Sequence, residues 1–185
     1  MAKLVIKLDG DPVLRRKTKA VVAVDKKVQR LLDDMLETMY AAPGVGLAAP
    51  QIGISKRLVV VDVGEDESSQ GPLKLVNPKI VAHGDEEELS PEGCLSFPGL
   101  VGDVWRNTKV TVRALNEVGE PVKIEAKGFL ARALQHEIDH LDGICYVDLA
   151  ENMRTTEQYE KELEAAQAEY EAEQNGAPPA DETQS

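Results

Sequence analysis

Two of the three histidines in this 185-residue chain stand four positions apart, in the run His136-Glu137-Ile138-Asp139-His140. Residues at i and i+4 lie on one face of an α-helix, so both imidazoles can reach a single metal ion if the run is helical. Glu137 is rotated off that line, close enough to touch a water on the metal without binding the metal itself. The run therefore predicts a helix that carries two metal ligands and one acid.

The pattern H-E-x-x-H is typical of metal-dependent hydrolases, in which the histidines bind the metal and the glutamate is the general base. The other interpretation is an amphipathic helix with two surface histidines and two surface acids. Because catalytic sites usually have three protein ligands plus a water, the hydrolase interpretation needs a third ligand. The candidates are Cys94, Cys145, His83 and several acids.

The surroundings of these candidates differ. Cys94 lies in a tight segment, with Gly93 before it and Pro98 close behind, which can bring a thiolate near an ion. Cys145 lies in an apolar run and is interpreted as a small buried hydrophobe. His83 is interpreted as a surface or turn residue.

Composition excludes several classes of protein. Hydrophobic residues make up 42% and charged residues 29% of the chain, as in soluble globular proteins. No apolar run approaches the ~20 residues that span a bilayer, and the N-terminus has no secretory or transit signal, so we expect a cytoplasmic protein without membrane contact. The net charge is −12, with ten acids against two bases from Ala150 onward, which argues against direct nucleic-acid binding.

Hydrophobic periodicity predicts helices and strands in an α+β arrangement. We expect mixed, mainly antiparallel sheets packed around a central metal-binding helix, with a C-terminal helix. The predicted units are a catalytic domain at 1–150, an acidic C-terminal helix at 151–174 and a disordered tail at 175–185. The predicted elements are helices over Val24–Ala41, from Gly128 through Leu141 and from about Asn152 to Gln174, and strands at Arg57–Val63, Leu73–Val81, Lys109–Leu115 and Pro121–Ala126, the last two forming a hairpin.

Three segments together resemble the ordered motifs of bacterial peptide deformylase, and the resemblance covers roughly residues 1 to 150. Pro50 stands where other members often carry Thr or Ser. The motif segments are Gly44-Val45-Gly46-Leu47-Ala48-Ala49-Pro50-Gln51, Glu92-Gly93-Cys94-Leu95-Ser96 and Gln135-His136-Glu137-Ile138-Asp139-His140-Leu141.

The resemblance implies one divalent metal ion held by Cys94, His136 and His140. It favours Fe²⁺ as the physiological ion, with Zn²⁺, Ni²⁺ or Co²⁺ as alternatives, since such a ligand set suits all four. The implied reaction is removal of the formyl group from N-formylmethionyl nascent peptides. A divalent ion lowers the pKa of its bound water toward ~7, so a metal-bound hydroxide would attack the formyl carbonyl, with Glu137 as general base and then acid.

The resemblance also assigns residues around the substrate. The Gln51 side-chain amide and the Leu95 backbone N–H would stabilise the oxyanion. Val45 and Gly46 would lie beside the methionine side chain, with the peptide added as a strand along this segment. Phe129 and Ala133 are either walls of that pocket or ordinary core residues.

Two further predictions concern Arg106 and the C-terminal helix. We hypothesise that Arg106 pairs with Glu92 or Asp139 to fix the site. In the resembled family a basic C-terminal helix can dock on the ribosome. Here the corresponding segment is acidic and rRNA would repel it, so we expect weak or differently mediated ribosome contact.

Two other functions remain open from the sequence. One is a different zinc metallopeptidase that uses the two histidines and an acid as ligands. The other is a non-catalytic binding protein with a structural metal, which would need four protein ligands. Three good ligand candidates, together with an intact Glu137 and Gln51, favour an enzyme.

Overall fold

The computed structural model describes residues 3–176 of the chain. Within this range the chain forms three α-helices, eight strands and three short 3₁₀ helices. The α-helices are α1 (Lys26–Ala41), α2 (Gly128–Leu141) and α3 (Thr156–Gly176), the strands are β1 (Gly46–Ala48), β2 (Leu58–Val61), β3 (Leu73–His83), β4 (Glu87–Cys94), β5 (Phe97–Asn107), β6 (Lys109–Leu115), β7 (Pro121–Lys127) and β8 (Glu151–Thr155), and the 3₁₀ helices are Pro12–Arg15, Ala49–Ile52 and Tyr146–Asp148.

The strands form two antiparallel sheets. Five strands pair in the order β1-β2-β3-β6-β7, and three pair in the order β4-β5-β8. This arrangement confirms the predicted α+β fold with mainly antiparallel sheets.

Helices cover both faces of the five-stranded sheet, and strand β2 shows how the sequence achieves this. Successive side chains of a strand point to opposite faces. Val59 and Val61 pack in one apolar cluster with α2, whereas Leu58 and Val60 pack in a second cluster with α1. Every residue of β2 is buried. The continuous Leu-Val-Val-Val run is therefore the sequence of a strand enclosed on both sides.

Helix α2 is held firmly at both ends, and this matters because it carries both histidines. At its start, Ser68 from the β2–β3 connection accepts a hydrogen bond from the Leu130 backbone N–H at 3.1 Å, so Ser68 caps the helix from outside. At its end, the Leu141 carbonyl accepts hydrogen bonds from the backbone N–H and the hydroxyl of Thr18, at 2.9 and 2.8 Å. Gly143 follows with φ of +76°, where an added Cβ would lie 2.7 Å from the Arg15 carbonyl.

Several predicted elements are confirmed with small shifts at their ends. The first helix begins at Lys26, capped by the Asp25 carboxylate, which accepts from the backbone N–H groups of Lys27 and Val28. The predicted hairpin is β6–β7, and the Asn116 side chain closes its turn by accepting from two backbone N–H groups.

Strands β4 and β5 were not predicted, and the start of the C-terminal helix was placed too early. Residues 151–155 pair with β5 as strand β8, so the acidic helix begins at Thr156 instead of about Asn152. Thr155 and Gln158 exchange side-chain to backbone hydrogen bonds at this boundary, a capping box that starts the helix. Most of the predicted disordered tail, residues 177–185, lies outside the described residues. No helix within residues 3–176 is both long and apolar enough to cross a membrane.

Replacing Ser68 with Ala should lower the free energy of unfolding by about 1 kcal/mol, because the first turn of α2 loses its cap. Chemical denaturation monitored by circular dichroism measures this change. The matched control is Ser69→Ala in the same connection. Among residues 3–176 the Ser69 hydroxyl accepts from nearby Gly71 alone, and its loss should cost less than about 0.5 kcal/mol. Equal stabilities of the two variants would contradict the capping role of Ser68.

Candidate metal centre

Cys94, His136 and His140 come together in the structure, with their potential ligand atoms all within 4.8 Å of one another. The histidines lie one turn apart on α2, and their ring centroids are 5.0 Å apart. Cys94 ends β4 just before the two-residue turn to β5, and its Sγ lies 3.4 Å from His140 Nε2. Two elements that are distant in sequence therefore bring one thiolate and two imidazoles to a common point.

These donors suit a divalent transition metal. One sulfur and two nitrogens fit Zn²⁺, Fe²⁺, Co²⁺ or Ni²⁺, and three protein ligands leave a position for substrate chemistry. Nδ1 of His136 donates to the Glu92 carboxylate at 2.9 Å, which leaves Nε2 for a metal. Burial lowers the pKa of His140 well below its ordinary value, which favours the neutral imidazole that binds metals.

The Glu92 carboxylate lies at the centre of a buried network behind the ligands. Arg106 donates to both of its oxygens, at 2.9 and 3.1 Å, and also donates to Asp139. Both pairings hypothesised for Arg106 are therefore present. Burial alone would raise the pKa of Glu92, but hydrogen bonds from His136 and Arg106 outweigh it and bring that pKa to about 2. The carboxylate is thus charged and fixes the ring of His136.

Glu137 lies against the backbone of β1. A Cβ added at Gly46 would lie 2.3 Å from Glu137 Oε1, so only glycine allows this approach. Burial raises the pKa of Glu137 to about 7. Among residues 3–176, the buried oxygen Oε2 has no hydrogen-bond partner. An unpaired buried oxygen is costly, so a donor bound beside it is favoured.

The Gln51 side chain is held with its amide nitrogen toward the ligand group. Its Oε1 accepts from the Ala48 backbone N–H at 2.8 Å, and its Nε2 donates to Cys94 Sγ at 3.4 Å and to the Ser96 hydroxyl at 3.2 Å. Leu95 occupies the turn directly after Cys94. The residues predicted as oxyanion donors therefore both lie next to the thiolate.

A cavity of about 390 Å³ opens onto this group. Its volume falls in the usual range for small-ligand pockets. The residues expected to contact substrate, Val45, Gly46, Phe129 and Ala133, all line it. Val45 and Phe129 are partly exposed, while Ala133 is buried and also belongs to the apolar cluster of α2. Its lining residues also include Gly46, Gln51, Cys94, Leu95, His136 and Glu137.

The other ligand candidates lie outside the group. Cys145 is fully buried in a third apolar cluster with Phe97 and Tyr146, which confirms its interpretation as a buried hydrophobe. His83 is exposed at the end of β3.

Sequence reasoning missed three residues around the centre. Ser96 orients Gln51, Tyr146 stacks on the His136 ring with centroids 5.7 Å apart, and Arg132 donates to Glu92. Of these three residues, Ser96 alone lies inside a motif segment, so its position in the sequence could have indicated a role. The contacts of Tyr146 and Arg132 depend on pairings that no local pattern reveals.

Comparison with known proteins identifies the family of this chain. Residues 3–156 match the family model described as Polypeptide deformylase. A peptide deformylase of Natranaerobius thermophilus is 60% identical over 153 residues, covering 83% of this chain and 96% of that protein. One from Symbiobacterium thermophilum is 54% identical over 180 residues, covering 96% and 82%.

Solved structures show the same likeness. The crystal structure of peptide deformylase from Ehrlichia chaffeensis in complex with actinonin is 40% identical, with a TM-score of 0.80, and covers 82% of this chain and 91% of that chain. The crystal structure of the enzyme from Thermotoga maritima is 42% identical, with a TM-score of 0.77, and covers 82% and 99%. The chain belongs to the peptide deformylase family, and it is a metal-dependent hydrolase that removes the formyl group from N-formylmethionine of new polypeptides.

Proposed function

We propose that Cys94, His136 and His140 bind the catalytic metal and that Glu137 is the acid–base residue of the deformylation. The observation that carries this assignment is the position of the Glu137 carboxyl. It lies buried against Gly46 and on the wall of the cavity that Cys94 and His136 also line. Acid, ligands and substrate space thus meet at one place.

Iron is the ion that we assign to the centre in the cell. The donor set accepts several divalent ions, so availability decides which one binds. When bound, the ion supplies a Lewis acid that acidifies water and stabilises negative charge on the formyl oxygen. Cys94 is half-buried and faces the cavity, so its thiolate is open to oxidants, and we expect oxidative loss of activity with iron.

Glu137 moves the proton in this scheme. Its carboxylate takes a proton from the attacking water and delivers it to the leaving amine. A pKa raised to about 7 by burial suits a group that must both accept and donate near neutral pH. The nearby positive charge of a bound metal acts in the other direction and favours the carboxylate.

Gln51 and Leu95 stabilise the developing oxyanion. The Gln51 amide is fixed by Ala48 before substrate arrives, so its N–H groups need little reorganisation. To serve the oxyanion, Nε2 exchanges its contact with Cys94 Sγ or Ser96 for one with the formyl oxygen. The Leu95 backbone N–H donates from the adjacent turn.

The substrate is an N-formylmethionyl peptide that lies along β1. Val45, Gly46, Phe129 and Ala133 form the walls around the methionine side chain, since all four line the cavity next to the ligands. The peptide backbone pairs with the Val45–Gly46 segment in the manner of an added strand.

Contact of α3 with ribosomal RNA is weak in our proposal. The side chains of this helix described through residue 174 are nearly all exposed, and its acids outnumber its single base, Lys161. Phosphates repel such a surface. We place the reaction in the cytoplasm, where new polypeptides emerge.

Replacing Glu137 with Gln should lower kcat about 10²- to 10⁴-fold, because the amide keeps the size of the side chain but cannot accept the proton. Formate release from formyl-Met-Ala-Ser by Ni²⁺-loaded protein measures this change. KM and metal content should stay near those of the wild type. Glu117→Gln, in the exposed hairpin turn, is the control. A Glu137→Gln kcat close to that of the wild type would exclude the acid–base role.

Replacing Cys94 with Ala should abolish stable metal binding and deformylation while the protein remains folded, because two histidines alone hold a metal weakly. Metal content after gel filtration is the measurement. Cys145→Ala is the matched control, since it removes the other thiol and should keep the metal. Retained metal and activity in Cys94→Ala would instead favour a metallopeptidase-type ligand set.

Replacing Gly46 with Ala should lower kcat on the order of 10²-fold, because the new Cβ displaces Glu137 and misplacements near 1 Å have effects of this size. Gly44→Ala is the comparison. Its Cβ would meet the end of the Leu95 side chain at 2.7 Å, and that end can rotate away. Gly44→Ala should therefore lower kcat less than Gly46→Ala does. A larger loss of kcat in Gly44→Ala would contradict the packing of Glu137 on β1.

A further inference from the structure

The metal ligands come from two parts of the protein that have separate apolar cores. Helix α2, with His136 and His140, packs through its apolar face in the cluster of the five-stranded sheet. The β4–β5 hairpin, with Cys94, contributes to a different cluster around Phe97 and Tyr146. The geometry of the centre therefore depends on what joins α2 to the hairpin.

Arg132 makes this connection from the helix side. Its guanidinium is buried and donates to Glu92 Oε1 at 2.9 Å. It also donates to three backbone carbonyls of the hairpin, those of Val104 at 2.8 Å, Glu88 at 2.8 Å and Ser90 at 3.4 Å. One side chain thus ties α2 to both strands of the hairpin.

Arg106 makes the complementary connection from the hairpin side. It lies on β5 and donates to Glu92 on β4 and to Asp139 on α2. Arg132 of α2 and Arg106 of β5 therefore balance the charges of the Glu92 and Asp139 carboxylates. Glu92, held between them, accepts the hydrogen bond from His136 Nδ1.

We propose that Arg132 is a positioning residue of the metal centre: it fixes Glu92 against His136 and sets the distance between α2 and the hairpin that carries Cys94. It acts through Glu92 and the hairpin backbone and does not touch the metal. Since the guanidinium fork reaches four acceptors in fixed directions, a lysine cannot replace it fully. This inference rests on the metal centre proposed above.

A purely structural arginine would make the same contacts but would affect only stability. Activity alone does not separate the two roles, because Arg132 also lines the cavity and its loss can change KM. Affinity for a metal ion in the folded protein does separate them. Residues that orient a metal ligand from behind typically change metal affinity 10- to 100-fold when they are replaced.

The test compares Arg132→Met and Arg132→Lys with wild type by Co²⁺ titration against a competing chelator, together with the absorption spectrum of the Co²⁺ protein. We expect Arg132→Met to weaken Co²⁺ binding roughly 10- to 100-fold and to shift the thiolate–Co²⁺ band, with Arg132→Lys in between. Arg154→Met is the matched control. Arg154 pairs with Asp103 across β8 and β5 without contacting α2 or Glu92, so its loss should leave both readouts unchanged.

The Co²⁺ affinity of a double variant tests the same role even if Arg132→Met lowers the stability of the protein. Because Arg132 acts through Glu92 as well as through the hairpin backbone, combining Arg132→Met with Glu92→Gln should weaken Co²⁺ binding by less than the product of the two single effects. Wild-type Co²⁺ affinity and spectrum in Arg132→Met, or additive effects in the double variant, would overturn the inference. Failure of the wild type to bind Co²⁺ would instead refute the proposed metal centre.

Discussion

The buried carboxylate of Glu92 is the contact on which the rest of the site depends. It accepts four hydrogen bonds, two from Arg106 and one each from Arg132 and His136. A buried charge is tolerable only when it is paired and fully hydrogen-bonded, and loss of one partner is strongly destabilising. The same interaction therefore fixes α2 against the β4–β5 hairpin and orients one metal ligand.

The two faces of α2 have different tasks. One face is apolar and anchors the helix on the five-stranded sheet, while its ends are fixed by Ser68 and by Thr18. The other face carries the histidines, Glu137 and the polar network. Because the anchored face and the capped ends hold the helix, the catalytic face can contain buried polar groups that do not themselves favour folding. Gly46 of β1 lies close to Glu137 on this face.

The sequence predicted those parts of the structure that local patterns determine. Helices α1 and α2 follow from apolar spacing, and the β6–β7 hairpin follows from two strand-like runs with a turn between them. Strands β4 and β5 were missed because Pro91, Gly93, Pro98 and Gly102 interrupt any regular pattern, and their pairing is set by tertiary contacts. Residues 151–155 have a polar composition that resembles the helix after them, and only pairing with β5 makes them a strand. The ligand group followed from motif order, whereas Arg132 meets Glu92 across 40 positions, which no local pattern contains.

In our proposal, one thiolate from the hairpin and two imidazoles from α2 bind the metal, with no fourth ligand from residues 3–176. X-ray absorption spectroscopy of the metal-loaded protein measures this coordination directly. We expect one sulfur and two imidazole nitrogens, with the remaining position taken by a light atom from solvent. A shell of nitrogen and oxygen alone, or one with a second sulfur, would contradict it.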